Sequence, residues 1–147
     1  MTDILDRLTT EGLAILVEIE GERVYSSEKP GVAPLLELVE RFPDGLDGAA
    51  VADRVVGGCA ARVFVWLCIT QVYAAVGSVA ARAILETAGV DYACTKEIAE
   101  IKNRSQTDVC PFEALSRLHR DPRQLVEAMR QRLREIRSGS PTGPGET

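Results

Sequence analysis

Ile69-Thr70-Gln71-Val72-Tyr73-Ala74-Ala75-Val76, then Gly77-Ser78-Val79-Ala80-Ala81-Arg82-Ala83-Ile84-Leu85-Glu86-Thr87-Ala88-Gly89, then Val90-Asp91-Tyr92-Ala93-Cys94-Thr95 carries the clearest signal of fold class in the chain. Its first part is a short run carrying Ile, Val and Tyr, which predicts a strand over Ile69–Val76. Ser78 is a good N-cap, because its hydroxyl can accept a free N–H of a first helical turn. The helix it opens runs to Ala88, and Gly89 ends it, since glycine enters the left-handed region without steric cost. Val90 to Thr95 then reads as a further strand. Strand, helix and strand in succession point to a sheet with helices on its faces.

The flanks extend this pattern. Asp3 to Thr10 reads as a short helix with Ile4, Leu5 and Leu8 on one face. Leu13 to Ile19 is a strand, turned by Glu20-Gly21-Glu22 into a second one through Val24-Tyr25. Lys29-Pro30-Gly31 breaks the chain. Leu35, Leu36, Leu38, Val39 and Phe42 then have helical spacing, closed by Pro43 and Gly45. Ala49 to Leu67 reads as largely helical with a break at Gly57-Gly58. After the decisive stretch come a loop, a helix Phe112 to His119, and a last helix Arg123 to Arg137 restarted by Asp121-Pro122. The expected order is α-β-β-α-α-β-α-β-α-α. Residues 1–137 are expected to form a single domain that includes the Arg-rich last helix at 123–137. Residues 138–147, made of Ser, Gly, Pro and Thr with a closing Glu, read as a disordered tail.

Composition narrows the function classes. The chain has 147 residues, enough to bury a core, and a net charge of -5 that does not suit a polyanion binder as a whole. Seven arginines between Arg117 and Arg137 face only Asp121, Glu127 and Glu135, yet no aromatics are interleaved. A solvated or oligomer-forming face is therefore the better reading, and nucleic acid is not the expected partner. The apolar stripe Leu125, Met129, Leu133 and Ile136 needs a surface to bury against, which makes a homodimer an expectation. Cys59, Cys68, Cys94 and Cys110 have no CxxC spacing and sit in or beside apolar runs, as thiols in a reducing cytosol do. The amino terminus lacks the basic and apolar regions of a signal peptide. Val55 to Val76 is interrupted by Arg62, Thr70 and Gln71, so it reads as a buried helix and strand and no membrane association is expected.

Chemistry concentrates in Asn103-Arg104-Ser105-Gln106-Thr107-Asp108-Val109-Cys110-Pro111-Phe112-Glu113. Pro111 suits the first position of a helix, which places Cys110 at the cap, where exposed N–H groups favour a thiolate. Glu113, three residues on, has the spacing of a capping box with a thiol in place of the hydroxyl. Cys110 is thus a candidate nucleophile or proton donor. The plain alternative is a capped helix with Arg104 paired to Glu113 or Asp108. Asp53-Arg54-Val55-Val56-Gly57-Gly58 is the second candidate. Two glycines before an apolar helix let backbone approach a ligand, free N–H groups there suit an anion, and Asp53 could hold a hydroxyl or amine. The alternative is a tightly packed kink capped by Asp53. Ser78 lies just past a strand, where α/β proteins commonly bind ligands, although a plain N-cap explains it. His119 is the single histidine, and no Cys or His pair has metal-ligand spacing, so no metal is expected.

Asp53-Arg54-Val55-Val56-Gly57, Ser78, Asn103-Arg104 and Cys110-Pro111-x-Glu113, in this order and spacing, resemble a bacterial domain-of-unknown-function family with a cytidine-deaminase-like fold. The resemblance covers roughly residues 3 to 120. It implies an α/β class fold, a three-layer α/β/α sandwich around a mixed sheet. Deaminases of that fold carry His- or Cys-x-Glu and Pro-Cys-x-x-Cys at two helix starts. The corresponding stretches here are Gly57-Gly58-Cys59-Ala60-Ala61 and Ser78-Val79-Ala80-Ala81, which lack the zinc ligands, and the first lacks the glutamate. Zinc-dependent hydrolytic deamination is therefore not supported, and no cofactor is expected. The family often has a basic residue where Gly58 stands and a small one where Cys59 stands. The resulting expectation is a small nucleotide- or base-like ligand held where Gly57, Gly58, Cys59 and Ser78 meet Asn103 and Arg104. Cys110, Glu113 and Asp53 are the groups available for any chemistry. A non-catalytic interaction or regulatory domain, and a thiol redox sensor centred on Cys110 with Cys59 as resolving partner, are the alternatives.

Overall fold

The computed structural model describes residues 3–101 and 111–138. The chain runs α1 (Asp3–Thr10), β1 (Ile15–Ile19), β2 (Glu22–Ser27), α2 (Ala33–Arg41), β3 (Ala50–Val56), α3 (Gly58–Trp66), β4 (Gln71–Ser78), α4 (Val79–Thr87), β5 (Asp91–Ile98), α5 (Pro111–Leu118) and α6 (Pro122–Ser138). The five strands form one mixed sheet in the order β2-β1-β3-β4-β5. β1 pairs antiparallel with β2 and β3, whereas β3, β4 and β5 run parallel. The β1–β2 hairpin closes on Glu20 and Gly21, both in the left-handed region at φ 51° and 83°. A two-residue turn of that kind matches the twist of the strands it joins.

One expected element is corrected. Ala49 to Leu67 is not mainly helical, because Ala50–Val56 is the central strand β3 and only Gly58–Trp66 is helix. Val51 and Ala52 are both fully buried, one toward each face of the sheet. A strand covered on both sides has no polar alternation, so it reads like a buried helix, and alanine's helix preference sharpens the error.

Helices cover both faces of the sheet. α1 lies on one face, where Ile4 and Leu8 pack against Leu13, Leu16, Ala52 and Tyr73. On this side Arg7 clamps the buried Glu18 of β1 with both guanidinium nitrogens, one at 2.8 Å, so the buried carboxylate is paired. The larger core lies on the opposite face, where Val17, Val51, Val72 and Ala74 meet side chains of α2, α3, α4 and α6. The last helix is built into this core. Leu125 and Met129 are fully buried and Leu133 packs against the cluster, while Ile136 stays 43% exposed. Most of the stripe expected to seek a partner is thus covered by the chain's own core. Several arginines of this segment are also paired within the chain, as Arg117 with Glu100 at 2.6 Å and Arg130 with Glu127 at 2.7 Å.

The parallel half of the sheet positions the candidate site. β3 and β4 end side by side, with Val56 opposite Gly77, and each leads at once into a helix. The amino ends of α3 and α4 therefore sit together at the carboxyl edge of the sheet, the region where α/β folds present ligand sites.

Candidate functional site

A cavity of about 250 Å³ lies beside the amino end of α3. β1 and β3 supply Ile15, Asp53 and Val55 to its wall, and the segment before α2 supplies Pro30 and Val32. Gly57, Cys59, Phe112 and Glu113 close it from the helix side. Most of this surface is aliphatic or aromatic, and the exceptions are few and charged, an ordinary pattern for a ligand pocket.

Glu113 is the most constrained of these groups. It is only 3% exposed, and its Oε1 accepts the backbone N–H of Gly58 at 2.6 Å. Glu113 therefore caps α3 from α5, while Cys110, the other half of the capping box expected on its own helix, lies outside the described residues. A helix start leaves several N–H groups unpaired and carries a partial positive charge, and a carboxylate satisfies both. Glu113 Oε2 is buried and has no hydrogen-bond partner among the described residues.

The glycine pair is explained by the same contact. A Cβ on Gly57 would stand 2.7 Å from Glu113 Oε1 and 3.0 Å from Ile101. A Cβ on Gly58 would overlap the Ser116 hydroxyl. Ser116 is itself buried, donates to the Glu113 carbonyl at 2.7 Å, and its own carbonyl accepts from Arg62 Nε at 3.1 Å. Gly57 and Gly58 thus admit α5 to the start of α3. The anion expected at this helix end is a side chain of the same protein, so the free N–H of Gly58 expected for a ligand is already taken.

Cys59 is buried and donates its thiol hydrogen to the Phe112 carbonyl at 2.7 Å. It lines the cavity as a packed side chain. Asp53 is half-buried in the cavity wall, with Oδ1 at 3.4 Å from the Val55 N–H. Burial pushes its carboxyl up to about 8, against weaker opposing contributions from the N–H groups of Val55 and Arg54. Desolvation disfavours the charged form, so near neutral pH Asp53 is mainly a neutral acid able to donate as well as accept. Arg54, the neighbouring cation in the wall, is turned to the Leu13 carbonyl, which accepts from its Nε at 2.7 Å.

Asp53, Gly57, Cys59 and Glu113 are therefore brought to one cavity, with Gly58 directly behind it. Ser78 is not in its wall. The Ser78 hydroxyl accepts the Ala81 N–H at 3.1 Å and is fully buried, the plain N-cap of α4. Asn103, Arg104 and Cys110 lie outside the described residues. The contributions of Pro30, Val32, Ile101 and Phe112 carried no motif in the sequence, since apolar wall residues resemble any other apolar residue. Among the described residues no group of three or more His, Cys, Asp and Glu is arranged to hold a metal ion. No helix among them is long and apolar enough to cross a membrane.

Comparison with known proteins gives the lineage. Residues 3–133 match the family described as TM1506, a domain of unknown function (DUF1893). The chain belongs to the DUF1893 family. The match extends past the residues 3 to 120 of the resemblance noted above and takes in most of α6, which agrees with the packing of Leu125 and Met129 into the core. Among solved structures, the crystal structure of a DUF1893 family protein (TM1506) from Thermotoga maritima superposes with a TM-score of 0.78 at 26% identity, covering 86% of this chain and 85% of that one. No curated protein matches this DUF1893 chain.

Proposed function

We propose that this DUF1893 domain binds a small base-like molecule in the cavity beside α3, on a scaffold of cytidine-deaminase-like type. The observation that carries the proposal is the placement of Asp53 and Glu113 in an otherwise mainly apolar wall. A flat heterocycle needs that combination of apolar surface for the ring faces and a few polar groups for the edge. The volume of about 250 Å³ lies at the small end for ligand sites, which begin at roughly 300 Å³. A single ring suits it better than a whole nucleotide. The Gly58 N–H that would hold a phosphate is already bonded to Glu113. The strand order, with two adjacent helix starts at the carboxyl edge of β3 and β4, supports the deaminase-like reading of the scaffold.

Val55 provides the test. It is a 45% exposed apolar residue in the cavity wall, so Val55→Trp obstructs the cavity from its rim without repacking the core. Titration of free nucleobases, nucleosides and nucleotides, followed by calorimetry and by NMR shifts of Phe112 and Ile101, should show bases binding more tightly than their nucleotides. Val55→Trp should abolish that binding. Absence of binding by every compound, or binding that survives Val55→Trp unchanged, would overturn the proposal.

A further inference from the structure

We infer that the cavity selects a ligand edge of amidine type, with adjacent N–H donors and neutral or positive charge, and rejects anions of the same shape. The inference rests on the binding reading above and names the chemistry it requires. Glu113 is 3% exposed, yet its Oε2 has no hydrogen-bond partner among the described residues. Leaving a buried acceptor of a carboxylate unpaired is unfavourable, and nearly all such groups in folded proteins find a donor. The carboxyl stands against the cavity, because Gly57 is part of the wall and a Cβ there would meet Glu113 Oε1 at 2.7 Å. Oε1 is occupied by Gly58, and Oε2 is the buried oxygen of this wall carboxyl left without a donor among the described residues.

Carboxyl groups also stand elsewhere in the wall. Asp53 and Glu28 are the other carboxyl groups in it. Arg54 is the cation among the described lining residues, and its Nε is engaged by the Leu13 carbonyl. An anion entering this space meets the carboxyl groups of Glu113 and Glu28 and a helix end whose Gly58 N–H is already in use. A donor edge meets an unpaired carboxylate oxygen and a second carboxyl across a wall of apolar side chains, where hydrogen bonds to charge are strongest. The apolar wall supplies the affinity for a ring, and the two carboxyl groups decide which ring edge is accepted.

Benzamidine, benzamide and benzoate share one shape and differ only in the head group, which makes them direct probes. On the full chain, benzamidine should bind about ten-fold or more tighter than benzoate, the worth of one charge-assisted hydrogen bond, with benzamide between them. Asp53→Asn should narrow the benzamidine advantage at pH 8.5, where the Asp53 carboxyl is largely ionised, and leave it nearly unchanged at pH 6. Glu113→Gln keeps an oxygen for the Gly58 N–H and places an amide N–H₂ where Oε2 stood, so it should shift preference toward benzoate. Benzoate binding as tightly as benzamidine to the wild type would overturn the inference. In that case benzamide-induced shifts at Phe112 and Ile101 would leave the cavity-binding proposal standing. If none of the three probes perturbs the cavity, both fail together.

Discussion

Glu113 Oε1 and the Gly58 N–H, 55 residues apart in sequence, are joined at 2.6 Å, so α5 supplies the cap that α3 lacks. This bond holds the second wall of the cavity against the first. Around it, the Cys59 thiol reaches the Phe112 carbonyl and Arg62 reaches the Ser116 carbonyl, so α5 is fixed to α3 along its first turns.

Removing that cap should be expensive, and the isostere should separate hydrogen bonding from charge. Glu113→Ala leaves the Gly58 N–H buried without a partner, and an unsatisfied buried donor costs roughly 1–3 kcal/mol, with the lost packing in addition. Glu113→Gln retains an acceptor and should lose less than half as much. Urea denaturation of the two variants against wild type checks the order. Equal losses would mean that Gly58 is not the partner that matters.

A side chain at residue 58 should be rejected. The Cβ of Gly58→Ala would overlap the buried Ser116 hydroxyl and stand 2.9 Å from the Ser116 Cβ. Overpacking of this kind costs about 1–3 kcal/mol. Ser116→Gly alone should be mildly destabilising, and it should recover much of the loss when combined with Gly58→Ala. Thermal melts of the four proteins give the coupling directly. Simple additivity would show that α5 yields rather than clashes.

A similar close approach occurs at the edge of the sheet. A Cβ at Gly77 would overlap the Tyr92 hydroxyl, and that hydroxyl is buried with no oxygen or nitrogen partner among the described residues, only the weakly bonding Cys94 thiol beside it. Arg82 lies over the same ring, 5.2 Å from its centroid. Tyr92→Phe keeps the ring and its cation contact while removing a poorly satisfied polar atom, so stability should stay level or rise by about 1 kcal/mol. Gly77→Ala should be strongly destabilising in the wild type and far milder in the Tyr92→Phe background. A loss of more than about 1 kcal/mol from Tyr92→Phe alone would show that the hydroxyl does have a strong partner.

Asp53 should leave a pH signature. Its carboxyl ordinarily titrates near 3.8 and is pushed up to about 8 by burial in the folded protein. Between those values the unfolded chain has lost the proton that the folded protein keeps, so this residue makes stability fall as pH rises from about 4 to about 8. Above that range the full penalty is present, and below it there is none. Asp53→Asn should remove the slope. Because the side chain is only half-buried, a gain on the order of 2 kcal/mol at pH 8.5 is expected, well below the full linkage value. Unfolding of both proteins at pH 5 and 8.5 measures it. A variant that is less stable than wild type at pH 8.5 would mean that the ionised carboxylate is stabilised in place.

Much of the architecture could be read locally. Asp3–Thr10, the Glu20-Gly21 turn, the Ser78 cap and the Gly89 stop each act within a few residues, through spacing, left-handed glycine and one hydroxyl. β3 could not be read this way. Its burial on both faces is a property of the finished sheet, and a run such as Ala50-Val51-Ala52 looks the same in a buried helix. Asp53 and Gly57-Gly58 were legible as candidates because a carboxylate and two glycines interrupt apolar sequence. What the glycines make room for was not, since Ser116 and Glu113 reach them from another part of the chain.

The residues alone were enough for the α/β class, the family, most helix ends outside the β3–α3 stretch, and the few polar residues that break the apolar runs. What those residues do depends on the assembled fold. It made Ser78 a cap, gave the start of α3 to Glu113 and left Asp53 in an apolar wall. It also turned the apolar stripe of α6 inward through Leu125 and Met129. The physical reason is range. Caps, turns and periodicity depend on neighbours within a turn of chain, whereas desolvation and close approach depend on which distant segments meet. In this protein the cavity exists because α5 returns to cover the first residues of α3.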